Sequence, residues 1–395
     1  MEKKIVGSAS RWLARVAGLA SVLALAACGG GGGDAGASAT GTLQLSMTDA
    51  PACYDSVVVT VQKVRVHASA TAQDSDAGWQ DIVPANGPVK VDLLHLTNGQ
   101  LADLGSAQVP AGKYTQLRLV LAPNTAAEPL ANAVQPTGGQ LVPLTTPSGT
   151  QSGIKLTGDF DVTANAVQNM VLDFDACKSV VSAGQSGRFL LKPVLRLSPR
   201  FAGSISGYVA TTMNLAATTV SAQQDGVVVR STAPDATGKF TLAYLPAGNY
   251  NVVIASDARA TGVIDTVPVG TTATTINAST TAVALPTSTM NTVTGKVTTG
   301  SPATPVDDAT VSALQTVAGL AIEVASQKVD STAAYTLRLP TAAPVRAPYA
   351  TTGLVFTPDA TAAGKYTLKV TAEGRTTLTQ PVDVTSANAT VNFTE

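Results

Sequence analysis

Along most of the chain, apolar residues fall at every second position, in short runs bounded by Gly, Pro, Asn and Asp. A period of two marks half-buried strands, and hardly any stretch carries the 3.6-residue period of a helix. The pattern predicts an all-β protein. Leu43, Leu45 and Met47 share one face over residues 42–48. In the next run, Val57, Val59 and Val61 set one phase, and Val64 and Val66 continue one position out of step. A one-residue slip inside a strand is what a β-bulge produces, so a bulge is expected near Gln62 and Lys63. Further strands are predicted at 89–94, 114–121, 169–174 and 189–197. Residues 123–153, rich in Pro, Gly and Thr, read as a long excursion with at most one strand, at 140–144.

Short segments recur. Val109-Pro110-Ala111-Gly112-Lys113-Tyr114 returns as Leu245-Pro246-Ala247-Gly248-Asn249-Tyr250, each time opening an alternating run. Pro sets the entry to a turn, Gly admits a positive φ, and Tyr starts the strand with a large ring. Gly238-Lys239-Phe240-Thr241-Leu242 is echoed by Gly364-Lys365-Tyr366-Thr367-Leu368, and Ser206-Gly207-Tyr208-Val209 by Thr294-Gly295-Lys296-Val297. These echoes divide the chain into modules of one architectural kind, at 42–199, 202–287 and a divergent 291–395. Each is long enough for a sandwich of about 100 residues. Pro340, Pro344 and Pro348 punctuate the third module, where residues 340–351 are expected to be an inserted loop.

The first residues read as an address. Lys3, Lys4, Arg11 and Arg15 precede an apolar run at 16–27, the order of a secretory signal, and the run is shorter than the roughly 20 residues a membrane span needs. Leu25-Ala26-Ala27-Cys28 resembles the bacterial lipobox. That resemblance implies a signal peptide at 1–27, diacylglycerol on the Cys28 thiol and a mature N-terminus there; ordinary secretion with an incidental Cys is the alternative. Residues 29–33 are all Gly, suited to a flexible tether over 28–41. Gly29 after the lipidated Cys, rather than Asp, implies sorting to the outer membrane. Cys53 and Cys177 are left, and an even number in an exported chain reads as a disulfide, two buried thiols being the other reading.

Met47-Thr48-Asp49-Ala50-Pro51, the strand at 57–67, Leu172-Asp173-Phe174-Asp175 and Phe189-Leu190-Leu191-Lys192-Pro193-Val194 together resemble the bacterial lipoprotein family called domain of unknown function 4382, over about residues 42–199. Residues 202–287, through Gly238-Lys239-Phe240 and Leu245-Pro246-Ala247-Gly248-Asn249-Tyr250, resemble the carboxypeptidase regulatory-like, transthyretin-like sandwiches, which are grouped with carbohydrate-binding-like folds. The resemblance implies tandem Ig-like or prealbumin-like β-sandwiches after a lipoprotein signal peptide. It supplies no catalytic residues.

Charge changes the picture little. Charged residues make up 13%, against about 25% in an ordinary globular chain, and the net charge is −1, so no basic field exists to hold nucleic acid. There are two histidines, His67 and His95, and no His-Glu-x-x-His, zinc-spaced Cys pair, Gly-x-Ser-x-Gly or phosphate-binding loop. Ser152-Gly153-Ile154-Lys155 fits Ser-x-x-Lys but lacks that motif's partners. Asp159-Phe160-Asp161 and Asp173-Phe174-Asp175 would each put two carboxylates on one strand face. Side by side, the two strands could gather four carboxylates to bind Ca²⁺, or to serve as acid and base in glycoside hydrolysis; an exposed polar sheet face is the simpler reading. Aromatics are only 4%, and Trp79, in a polar loop, is the candidate ligand contact or else a cap on the core edge. The reading is a non-enzymatic outer-membrane lipoprotein with no required cofactor, presenting sandwiches to a polysaccharide or an envelope protein. Its rivals are an envelope hydrolase using the Asp-rich strands and an accessory module for another enzyme.

Overall fold

Strand alternation organises the chain as the pattern predicts. In the computed structural model, which describes residues 39–49, 53–147, 149–184 and 186–395, six sheets stack in pairs to form three β-sandwiches. Each sandwich has its own apolar core, around Leu45 and Phe174, around Phe240 and Tyr250, and around Val311 and Tyr335. The fold is all-β.

All three sandwiches follow one plan. An opening strand (Thr40–Asp49, Gly203–Tyr208 or Met290–Thr299) takes an antiparallel neighbour on one side (Ala102–Pro110, Lys239–Leu245 or Ala334–Pro340). On the other side it takes a parallel neighbour from later in its module: Val167–Phe174, Ala273–Thr275, or the pair Ala389–Thr390 and Phe393–Thr394. The facing sheet is built on a second strand (Ser56–His67, Thr218–Gln224 or Thr310–Val317) flanked by Gly112–Leu121, Gly248–Ser256 or Lys365–Thr371.

The phase slip is a bulge. The register between Ser56–His67 and Gly112–Leu121 shifts between Val61 and Lys63, leaving Gln62 exposed and unpaired. Val57, Val59, Val61, Val64 and Val66 are all fully buried in the same core, because the extra residue turns the second phase back to the face of the first. The predicted strand at 189–197 is two strands in different sheets, Phe189–Leu191 and Leu195–Pro199. The excursion at 123–153 carries Ala133–Gln135 as well as Val142–Thr145. Ala102–Pro110 had no signal in the pattern, since ADLGSAQVP lacks alternation; its partner strand imposes its conformation.

The repeated Pro-x-Gly-x-Tyr segment is a hydrogen-bonded corner. Tyr114 Oη donates to Pro110 O and Tyr250 Oη donates to Pro246 O, each at 2.9 Å, tying the start of a strand to the turn before it. The third module has the same corner in divided form: Tyr366 Oη donates to Pro340 O at 2.6 Å, across an insertion at 341–363. Gly364-Lys365-Tyr366 therefore corresponds to Gly248-Asn249-Tyr250, and the sequence echo with Gly238-Lys239-Phe240 is corrected. Lys365–Thr371 pairs with Thr310–Val317 as Gly248–Ser256 pairs with Thr218–Gln224, whereas Lys239–Leu245 lies in the other sheet. The opening-strand echo holds in register: Gly207 lies opposite Phe240 and Gly295 opposite Tyr335. A Cβ on Gly207 would come within 2.7 Å of Ile276 Cγ1, 2.8 Å of Asn277 Oδ1 and 2.9 Å of Phe240 Cζ, so the packing of all three side chains requires glycine there.

The expected loop at 340–351 contains a strand. Val345–Pro348 pairs in parallel with Gly262–Val269 of the second sandwich and is followed by Thr357–Pro358. Val345 enters the second core, with Tyr349, Leu354 and Phe356 against it. Residues 39–395 form one compact unit. Among the described residues, no helix is long and apolar enough to cross a membrane. Cys28 and the signal segment lie outside the described residues.

Candidate functional site

The two Asp-rich strands do not meet. Ile154–Val162 is the edge of the large sheet of the first sandwich, and Val167–Phe174 is central in the small one, between Thr40–Asp49 and Leu195–Pro199. Alternation is obeyed within each triplet, since Phe160 and Phe174 enter the core, but the four carboxylates go to separate places. Asp159 is exposed and pairs with Lys113 at 2.6 Å, and Asp161 is exposed. Asp173 is buried against the second sandwich, 2.8 Å from Arg230, whose other amino group donates to Ser198 Oγ at 3.0 Å. Burial raises the Asp173 pKa, and Arg230 works against that rise. Asp175 caps the short helix Ala176–Ser179, its Oδ1 accepting from Lys178 N. Among the described residues no three His, Cys, Asp or Glu side chains come together as a metal site. The expected Ca²⁺ cluster of Asp159, Asp161, Asp173 and Asp175 is therefore corrected: alternation sets the face of a strand, and pairing puts these two in different sheets.

Trp79 is half-buried and packs on cations of its own chain. The guanidinium groups of Arg65 and Arg118, cross-strand partners, lie 5.0 and 4.8 Å from its ring centre, and His67 tilts against it at 5.0 Å. Its indole N–H donates to Gln73 O at 2.9 Å, and Asp74 pairs with both arginines. The ring covers a charged patch on the outer face of the sheet.

A larger feature lies where the three sandwiches meet. It is a cleft of about 450 Å³, within the usual range for ligand sites. At one end, Cys53 is disulfide-bonded to Cys177, 124 residues on, with their Cα atoms 5.5 Å apart. Beside it Tyr54 Oη donates to Val180 O at 3.0 Å, and burial pushes the phenol pKa up to about 12. The floor is the outer face of the second sandwich. Val220, Ala222, Val252 and Ile254 point into that core, so the alternate positions Thr219, Ser221, Val253 and Ala255 face the cleft.

The third sandwich supplies the wall, and Glu323 joins all three modules. Its Oε1 accepts from Lys178 of the first at 2.9 Å, its Oε2 accepts from Ser312, and its backbone N and O pair with the side-chain amide of Gln223 of the second, at 2.8 and 2.7 Å. Burial alone would lower the Lys178 pKa, but Asp175 and Glu323 offset that and hold it above its ordinary value, so the ammonium stays charged. No sequence pattern marked Glu323 or Gln223, because their partners lie 145 and 100 residues away.

Residues 40–193 match the family model described as Domain of unknown function (DUF4382). No curated protein matches the chain. Among solved structures, the chain is similar to the Bacillus anthracis TIE protein at 11% identity, over 90% of this chain and 50% of that one, with a TM-score of 0.18. The Streptococcal ancillary pilin is similar at 11% identity over 90% of this chain and 99% of its own, with a TM-score of 0.17. A type II cohesin–X-dockerin complex from Acetivibrio cellulolyticus is similar at 21% identity over 22% of this chain and 58% of its own, with a TM-score of 0.18. The chain thus spans half the length of the TIE chain and 58% of the cohesin–dockerin chain.

Proposed function

We propose that this protein is a non-enzymatic lipoprotein of the outer membrane, held by acylated Cys28, whose three sandwiches act as one scaffold presenting a binding cleft to an envelope protein or polysaccharide. The observation that carries this reading is the way the modules are interlocked. Lys178–Glu323 ties the first to the third, Gln223–Glu323 the second to the third, and the buried Asp173–Arg230 pair the first to the second. Asn98 adds bonds from the first to Thr232 and Thr241 of the second. Contacts of this kind fix the angles between modules, which a stalk or scaffold needs to hold a partner at a set height above a membrane. The lipobox-like end and the glycine run supply the anchor and tether in this reading.

Three measurements test it. Mass spectrometry of the mature protein should find a diacylated, N-terminal Cys28, and Cys28→Ser should release the chain from the membrane fraction; retention of that variant would remove the lipid anchor from the proposal. Scanning calorimetry of the whole chain should give a single cooperative transition. Three independent transitions would mean beads on a string rather than a scaffold.

A further inference from the structure

We infer that the cleft between the sandwiches takes an extended polypeptide segment, which adds as a strand to the open edge of Leu320–Lys328. The inference rests on the scaffold reading and names its partner class. Five consecutive residues of this strand, Glu323 to Gln327, line the cleft. Side chains alternate between faces, so consecutive lining residues mean that the cleft runs along the edge of the strand and not over one face. Among the described residues, the strand pairs only with Thr310–Val317, and its other side carries no strand.

The direction of the backbone groups follows from the register. Glu323 N and O bond the Gln223 side chain, so they point away from Thr310–Val317. The bulge between Ala313 and Leu314 makes the cross-strand partners Leu314 with Glu323, Ser312 with Ser326 and Thr310 with Lys328. Leu314, Ser312 and Thr310 are each two residues apart and share one phase, so Ser326 and Lys328 also turn their N–H and C=O outward. Val329, one residue on, donates back to Ala309 O, as that phase requires. On the second edge lining the cleft, Thr336 N donates to Gln327 Oε1 at 3.4 Å, and Arg338 shares its phase. Two glutamine amides, chemically peptide groups on side chains, thus already pair with these open edges, and Ser326 and Arg338 continue them.

The surroundings favour a peptide of small or hydroxylated side chains. Thr219, Ser221, Val253 and Ala255 give a floor of short groups, and the charges at the closed end are already paired as Lys178 with Asp175 and Glu323. Backbone pairing supplies affinity in strand addition and the floor supplies selection at alternate residues.

The test pans a random heptapeptide library on the full chain and measures the selected synthetic peptides by calorimetry and hydrogen exchange. Peptide should slow exchange at the Ser326 amide. Ser326→Pro, which deletes an N–H that the native sheet does not use, should weaken binding by about tenfold or more, as expected for a lost backbone pair, while Ser326→Ala stays within about twofold. The inference is overturned by equal binding to the proline variant, by peptides that bind a cleft-blocked Ala255→Trp chain as well as the wild type, or by a neutral hexasaccharide that alone protects the cleft. Any of these outcomes would leave the acylation and single-transition tests of the scaffold untouched.

Discussion

Asp173 and Arg230 show how little a residue's type says about its role. In sequence Asp173 is one of a pair of alternating carboxylates; in the structure it is a buried charge facing one buried guanidinium. Removing one partner of such a pair leaves the other uncompensated, so Arg230→Met should cost about 3–5 kcal/mol in urea unfolding, whereas Asp173→Leu with Arg230→Leu should be close to neutral or stabilising. The sign of the pH effect follows. Burial raises the Asp173 pKa, so the native state binds that proton more readily than the unfolded chain, and stability tied to it is gained as pH falls. The deficit of Arg230→Met should therefore shrink on acidification toward 3.8, the ordinary Asp value, and a deficit constant with pH would contradict this assignment.

Among the elements, the strand Ser56–His67 carries the sharpest consequence of the pattern. Its two valine phases reach one core only because Gln62 is an extra residue. Deleting Gln62 should turn Val64 and Val66 toward solvent and abolish the native near-ultraviolet circular dichroism, while Gln62→Ala should change stability by less than about 0.5 kcal/mol. This bulge and the repeated Pro-x-Gly-x-Tyr turns were legible because each is local, the slip occurring within a few residues; the structure adds that in both turns the hydroxyl reaches back four residues to the Pro carbonyl. Gly364-Lys365-Tyr366 was matched to the wrong repeat because the insertion separates it from Pro340, and hydrogen bonding rather than spacing identifies the corner there.

For the whole molecule, the insertion at 341–363 acts as a clamp, since the third sandwich lends Val345–Pro348 to the sheet of the second and Arg346 pairs there with the buried Asp265. Replacing the insertion with one alanine would restore the short corner of Leu245-Pro246-Ala247-Gly248-Asn249-Tyr250. The third sandwich should still fold, and calorimetry should now resolve a separate, lower transition for the second. An unchanged single transition would show that Glu323 and its partners couple the modules without the clamp.

The sequence by itself determined the all-β class, the strand faces, the bulge, the repeated Pro-x-Gly-x-Tyr turns and the resemblance of the first module, because these follow from side-chain periodicity and turn chemistry within a few residues. Only the tertiary structure decided which strands share a sheet, that the four aspartates part company, and that Glu323, Gln223 and Lys178 meet at a cleft. Periodicity records which side of a strand is buried but carries no label for the partner, and partners 100 or more residues apart are chosen by the packing of whole sheets.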